Sequence, residues 1–309
     1  MRPSGVQAGL VPAAGAPVLL LTFGGGLSWA GQTATCPRTR APQQQHRSAR
    51  FPCPGPAEQL PRGYGETVIK MRSDAIVVPG LFVGYPGVAF GGYVAGVLAE
   101  RAKAKTVRVD FRGPVPTEVP VPIAETAGGG VELGETERPL ATARPTELLL
   151  DTPAAPSWDE AVAATETFRA APPSGVVDCF GCGLRTADRG LRMHCAPVPG
   201  RDLVAAALVP SPAFADPDGL LPNRLVWGAL DCPGNWAGRL LGTQRPGAVT
   251  ASLTGTLLRP VTAGEPHIAY AWLLSESGRK HMMGVALATA EGELCAVSEA
   301  LWLDPRPAP

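Results

Sequence analysis

Tyr93-Val-Ala-Gly-Val-Leu-Ala99 in the first half of the chain aligns with Asn235-Trp-Ala-Gly-Arg-Leu-Leu241 in the second, and this repetition decides the fold. Both heptapeptides lie in longer stretches of helical spacing, predicted over residues 91–104 and 225–241. The second stretch is interrupted near its start by Pro233-Gly234. Each leads into an alternating run that ends at a proline: residues 106–111 followed by Gly113-Pro114, and residues 250–258 followed by Arg259-Pro260. From Gly96 to Pro114 is 18 residues, and from Gly238 to Pro260 is 22.

Working outward, a strand-like run occupies residues 66–78, before the first helix. More strand follows through Val119-Pro-Val121, and a short strand is expected over residues 146–150. In the second half, residues 203–209, 267–274, 283–289 and 294–303 read as strands, with a hairpin turn at Glu291-Gly292. Two copies of a strand, one apolar helix and a run of antiparallel strands make the hotdog arrangement, in which a curved sheet wraps the helix and buries both. A repeat this long argues for a fused pseudo-dimer rather than a solenoid. The expected fold is therefore α+β: two tandem hotdog domains at residues 64–155 and 176–305, joined by a linker at residues 156–175.

Composition narrows the function classes. Lys plus Arg number 27 and Asp plus Glu number 27, so the formal net charge is zero. That balance gives no basic footprint for nucleic acid. No apolar run is long enough to span a bilayer, so no membrane partner is expected. The chain has 7 cysteines, an odd number at irregular spacing. A chain this long folds without disulfide staples, so reduced thiols and a cytoplasmic setting are expected.

Residues 1–63 do not read as a domain. The stretch from residue 33 to 61 is rich in Pro, Gln, Arg and Ser and lacks the apolar surface to offset chain entropy, so disorder is expected there. The apolar run 16–23 is short and ends in Gly24-Gly25-Gly26, unlike the core of a secretory signal. Residues 18–31, Val-Leu-Leu-Leu-Thr-Phe-Gly-Gly-Gly-Leu-Ser-Trp-Ala-Gly, resemble the closing strands of β-ketoacyl-ACP synthase III. The likeness covers no catalytic residue and implies a fusion remnant in an acyl-carrier setting.

Three motifs carry a further resemblance: Cys179-Phe-Gly-Cys182-Gly, Gly190-Leu-Arg, and Val226-Trp-Gly-Ala-Leu-Asp231-Cys-Pro-Gly-Asn-Trp236. Together they resemble bacterial thioesterase-like hotdog proteins over most of residues 64–305. The resemblance implies an acyl-CoA or acyl-ACP substrate, no cofactor, an acyl carrier protein as a partner, and a homo-oligomer formed by pairing sheets edge to edge. It also implies catalytic roles. In the double-hotdog type II acyl-CoA thioesterases an Asp at the start of the second helix works with a Ser or Thr on the next strand and a Gln near the last strand. Asp231 and Thr250 occupy the first two places. The third falls on Ala300, so that member is missing.

Chemistry gives Asp231 the same role: a carboxylate at a helix start can activate water beside a thioester carbonyl that free N–H groups polarise. The alternative is a plain N-cap. Phe90-Gly91-Gly92 stands where single-hotdog thioesterases carry His-Gly-Gly. Gly91 and Gly92 would let pantetheine approach a helix N-terminus. Cys232 and Gly234 flank the second helix start as substrate contacts, and Arg279-Lys280 could meet the phosphates of CoA or an acidic carrier. His281 or His267 paired with Asp231 would instead make a dehydratase acting on a 3-hydroxyacyl thioester. A third reading is a non-catalytic acyl-binding protein. Cys179, Cys182, His194 and Cys195 offer four zinc ligands, but their spacing matches no standard finger, so no metal is assigned.

Overall fold

The computed structural model describes residues 75–306. The expectations placed on residues 1–74, including the synthase-like stretch and most of the first strand run, lie outside the described residues. The described residues form four α-helices: α1 (Gly91–Ala102), α2 (Trp158–Ala170), α3 (Asn223–Ala229) and α4 (Cys232–Leu240). The first-half strands are β1 (Ala75–Val77), β2 (Val83–Tyr85), β3 (Val88–Ala89), β4 (Thr106–Phe111), β5 (Pro120–Thr126), β6 (Gly130–Glu135) and β7 (Arg138–Pro145). The second-half strands are β8 (Ala196–Pro197), β9 (Val204–Leu208), β10 (Val249–Leu257), β11 (His267–Ser277), β12 (Lys280–Thr289) and β13 (Leu294–Leu303).

Eleven of these strands form one antiparallel sheet in the order β1-β5-β6-β7-β4-β10-β13-β12-β11-β9-β8. The order reads the same outward from its centre. β4 and β10, the strands that follow the two central helices, pair with each other, with Leu253 opposite Val109 and Gly255 opposite Val107. Outward from them, β7, β6, β5 and β1 on one side correspond to β13, β12, β11 and β9 on the other. The sheet thus carries the repeat that the two heptapeptides announce, and the fold is a double hotdog.

The two central helices meet through small residues. α1 buries almost its whole surface, including Tyr93, Val94, Val97 and Leu98. A Cβ on Gly96 would lie 2.4 Å from the Arg224 Cα, and one on Gly92 would lie 2.8 Å from the Gly228 Cα. Glycines four residues apart on one helix face let the backbones of α1 and α3 approach to a distance that no other residue permits.

The second central helix is split rather than kinked. α3 ends at Leu230, α4 starts after Asp231, and Pro233 occupies the first turn of α4, where its missing N–H leaves no bond unmade. The Leu230 carbonyl freed by the break accepts the Ser298 hydroxyl of β13 at 3.1 Å.

One expectation needs correction. Residues 146–150 form no strand; the pairing in this region is made by β6 and β7, with Val131 opposite Ala143. Residues 156–175, read as the linker, contain α2. Ser157 and Glu160 form a reciprocal capping box at its start, and Ala161, Ala164, Thr165 and Phe168 are its buried face. The Thr165 hydroxyl accepts the Ala207 N–H at 2.8 Å, which ties α2 to β9 near the edge of the sheet.

Candidate active site

A cavity of about 500 Å³ opens between the β2–β3 hairpin, the first turn of α1, the start of α4 and the start of β10. Its lining is mainly apolar. Within it Asp231 and Thr250 meet.

Asp231 is 2 % exposed. The break between α3 and α4 turns its side chain away from its own helix, which it does not cap. Instead Oδ2 accepts the Gly92 N–H of α1 at 2.8 Å, and Oδ1 accepts the Thr250 hydroxyl at 2.8 Å. Asp231 of the second hotdog therefore supplies the N-terminal acceptor of the first hotdog's helix, whose N-cap residue Phe90 offers none. The carboxylate gains from the positive end of α1. Burial nevertheless pushes it up to about 7, against the opposing pull of the Thr250 and Gly92 hydrogen bonds. A carboxyl held near neutrality exchanges a proton readily at physiological pH, which suits a general base.

Gly91 stands directly against this pair: a Cβ there would lie 3.2 Å from Asp231 Oδ2 and 3.6 Å from Thr250 Oγ1. Gly92 is not an open approach for a ligand, because its N–H is taken by Asp231 and its Cα side is packed on α3. Gly234 is likewise closed off, packed against Trp302, Val285 and Met283. Cys232 lines the cavity.

Besides Gly92 and Gly234, four further candidates do not line the cavity. Arg279 donates from Nε and Nη2 to the Asp304 carbonyl at 2.9 and 2.6 Å, and neither it nor Lys280 is part of the lining. His281 is fully buried elsewhere, with Nδ1 at 2.8 Å from Glu276 Oε1. His267 places Nδ1 2.9 Å from the Glu265 carbonyl. Neither histidine lines the cavity, so the structure does not assemble the His–Asp pair that dehydration requires. Ala300, at the place of the missing Gln, is fully buried and carries no polar side chain.

Trp302, Arg112 and a cluster of three thiols also line the cavity. Trp302 lines the cavity on β13, directly opposite Thr250 of β10. Its indole N–H is buried and has no hydrogen-bond partner among the described residues. That N–H lies against Gly234 of α4, where an added Cβ would come within 3.0 Å of it, so the part of Trp302 that lines the cavity is its ring. The exposed Arg112 side chain stands at the cavity rim. Cys179, Cys182 and Cys232 bring their sulfurs within 4.8 Å of one another at the inner wall. Hydrogen bonds from Cys182 and Cys232 hold the Cys179 thiol well below its ordinary range, and the other two are pushed up in return.

The fold and its site define an α+β double-hotdog protein with a buried carboxylate–hydroxyl pair in an apolar cavity between the halves. No family model matches the chain, and a search of curated proteins gives no match. Among solved structures, the chain is similar to acyl-CoA thioesterase II from Mycobacterium marinum, at TM-score 0.47 and 16% identity over 71% of this chain and 90% of that one. It is similar to the tesB protein of Mycobacterium avium subspecies paratuberculosis, at TM-score 0.47 and 14% identity over 75% and 92% of the two chains. It is also similar to a conserved protein of unknown function with a hot dog fold from Alicyclobacillus acidocaldarius, at TM-score 0.44 and 12% identity over 76% and 93%. No helix among the described residues is long and apolar enough to cross a membrane.

Proposed function

We propose that this protein hydrolyses an acyl thioester, with Asp231 as general base. The observation that carries the reading is the buried Asp231 carboxylate, bonded to Gly92 N–H and Thr250 Oγ1 in the wall of an apolar cavity. A water held by Asp231 and Thr250 attacks the thioester carbonyl. The acyl–oxygen bond forms as the acyl–sulfur bond breaks. The water proton passes to Asp231 and then to the departing pantetheine thiolate. The Trp302 ring, opposite Thr250, forms part of the apolar wall for the acyl chain. Arg112 at the rim, and not Arg279 or Lys280, meets the phosphates of the CoA or carrier-protein arm.

Phe90 and Ala300 favour a second reading, binding of an acyl thioester without turnover, because each leaves a hydrogen-bonding position apolar. One experiment separates the two. Acyl-CoAs of short, medium, long and aromatic chains are offered to the full chain, and free thiol is followed with a chromogenic reagent. Thiol release by the wild type that disappears in Asp231→Ala supports hydrolysis. Saturable binding of an acyl-CoA with no release from any of the panel supports the binding protein.

A further inference from the structure

The loop 179–183 and the first turn of α4 bring three thiols together from segments 50 residues apart in sequence, Cys182 to Cys232. We propose that Cys179, Cys182 and Cys232 form a binding site for a thiophilic divalent cation, Zn²⁺ above all. The proposal goes beyond thioester hydrolysis and does not depend on it.

The geometry is that of a tetrahedral face. Zinc–thiolate bonds of about 2.3 Å place two ligand sulfurs about 3.8 Å apart. Cys179 and Cys232 already stand at 3.7 Å, and all three sulfurs lie within 4.8 Å of one another. The approach of α4 to the loop is made possible by Gly181, where a Cβ would lie 2.5 Å from the Cys232 sulfur. These three are a better set than the one the sequence suggests, because His194 is committed elsewhere. Its Nδ1 accepts from Arg169 Nε at 3.1 Å, so the other ring nitrogen carries the proton and donates to the Gly183 carbonyl at 3.1 Å. That bond braces the backbone just beyond Cys182.

The surroundings are those of thiolate ligands. The Gly181 N–H donates to the Cys179 sulfur at 3.2 Å. The Trp236 indole N–H is buried and has no hydrogen-bond partner among the described residues; it favours the ionised form of Cys182, so it is a donor left free beside the thiols. The Arg239 guanidinium lies 4.9 Å from the Trp236 ring. The Gly181 N–H, this free donor and a nearby cation offset the single negative charge left when three thiolates bind one divalent ion and the thiol protons are released. All three cysteines line the cavity, and we place the fourth coordination position toward it, the pattern of a three-ligand site open to a small ligand.

The full chain, reduced with a phosphine and freed of metal by a chelator, is titrated with Co²⁺ and then with Zn²⁺. Tetrahedral cobalt d–d bands and a thiolate-to-cobalt charge-transfer band are expected, saturating at about one equivalent, with proton release and displacement by Zn²⁺. The bands are expected to be lost in Cys179→Ser, Cys182→Ser and Cys232→Ser and kept in Cys195→Ser and Cys295→Ser. Trp236→Phe keeps the thiols and should weaken Co²⁺ binding by about tenfold. The wild-type titration decides the matter even if a serine variant fails to fold. Absence of the charge-transfer band in the reduced wild type would overturn the proposal. So would a band that survives in all three serine variants.

Discussion

The Thr250 hydroxyl donates to Asp231 Oδ1 at 2.8 Å, joining the start of β10 to the break between α3 and α4. The other oxygen of the same carboxylate is held by an amide of the opposite hotdog. Both oxygens are therefore oriented before any substrate arrives. If Asp231 is the base, Asp231→Asn should lower kcat by about 10²–10⁴-fold. The amide can still accept from Gly92 and can donate to the Thr250 oxygen, and it removes a buried charge that has no cation beside it. The variant should therefore be as stable as the wild type at neutral pH, or more so. Thermal denaturation run beside the thiol-release assay checks both halves; an inactive and strongly destabilised Asn variant would reassign Asp231 to structure.

The helix crossing sets a second expectation. Gly96→Ala drives a Cβ to 2.4 Å from the Arg224 backbone, which cannot move without shifting α3 and the Asp231 turn behind it. Overpacking of this kind costs about 1–3 kcal/mol, and a clash with backbone belongs at the upper end. Urea unfolding should show a lower midpoint, and the loss should exceed that of Gly113→Ala, where the nearest neighbour is the tip of the Leu140 side chain at 3.3 Å. Equal losses at the two positions would show that α1 and α3 have room to part.

Much of the fold is legible in the sequence because its signals are local. The Gly96 and Gly238 heptapeptides, the alternating strands 106–111 and 294–303, and the helix-splitting Pro233 are each read from neighbouring residues. α2 also had a local signal, Ser157-Trp-Asp-Glu160, which is a capping box overlooked between two prolines and a polar stretch. The site is different. Asp231 and Thr250 are reachable through resemblance, but Trp302 enters only through cross-strand register, opposite Thr250. Register also buries His281 away from the cavity, and spacing alone cannot show that. The partner of Cys179 and Cys182 was sought nearby, at His194 and Cys195, whereas the fold supplies Cys232 from another element.

Acid should expose a structural carboxylate that is not itself part of the cavity lining. Asp304 accepts the Arg245 backbone N–H at 2.8 Å and its guanidinium Nε at 3.1 Å, with His281 Nε2 at 3.3 Å. Burial pushes this carboxyl up, but the bonds from Arg245 and His281 outweigh it and hold it below its ordinary value. A carboxyl depressed in the folded state is the stronger acid there, so its stabilisation is present above the unfolded value, about 3.9, and is lost as pH falls through the lower folded value. Asp304→Asn should therefore be less stable than the wild type at pH 7, by about 1–3 kcal/mol for hydrogen bonds to a charged group. The gap should narrow below about pH 4, where the wild-type carboxyl also becomes neutral. Urea midpoints of both proteins across this range give the answer, and a gap that stays constant down to about pH 2 would mean that shape, rather than charge, is what Asp304 contributes.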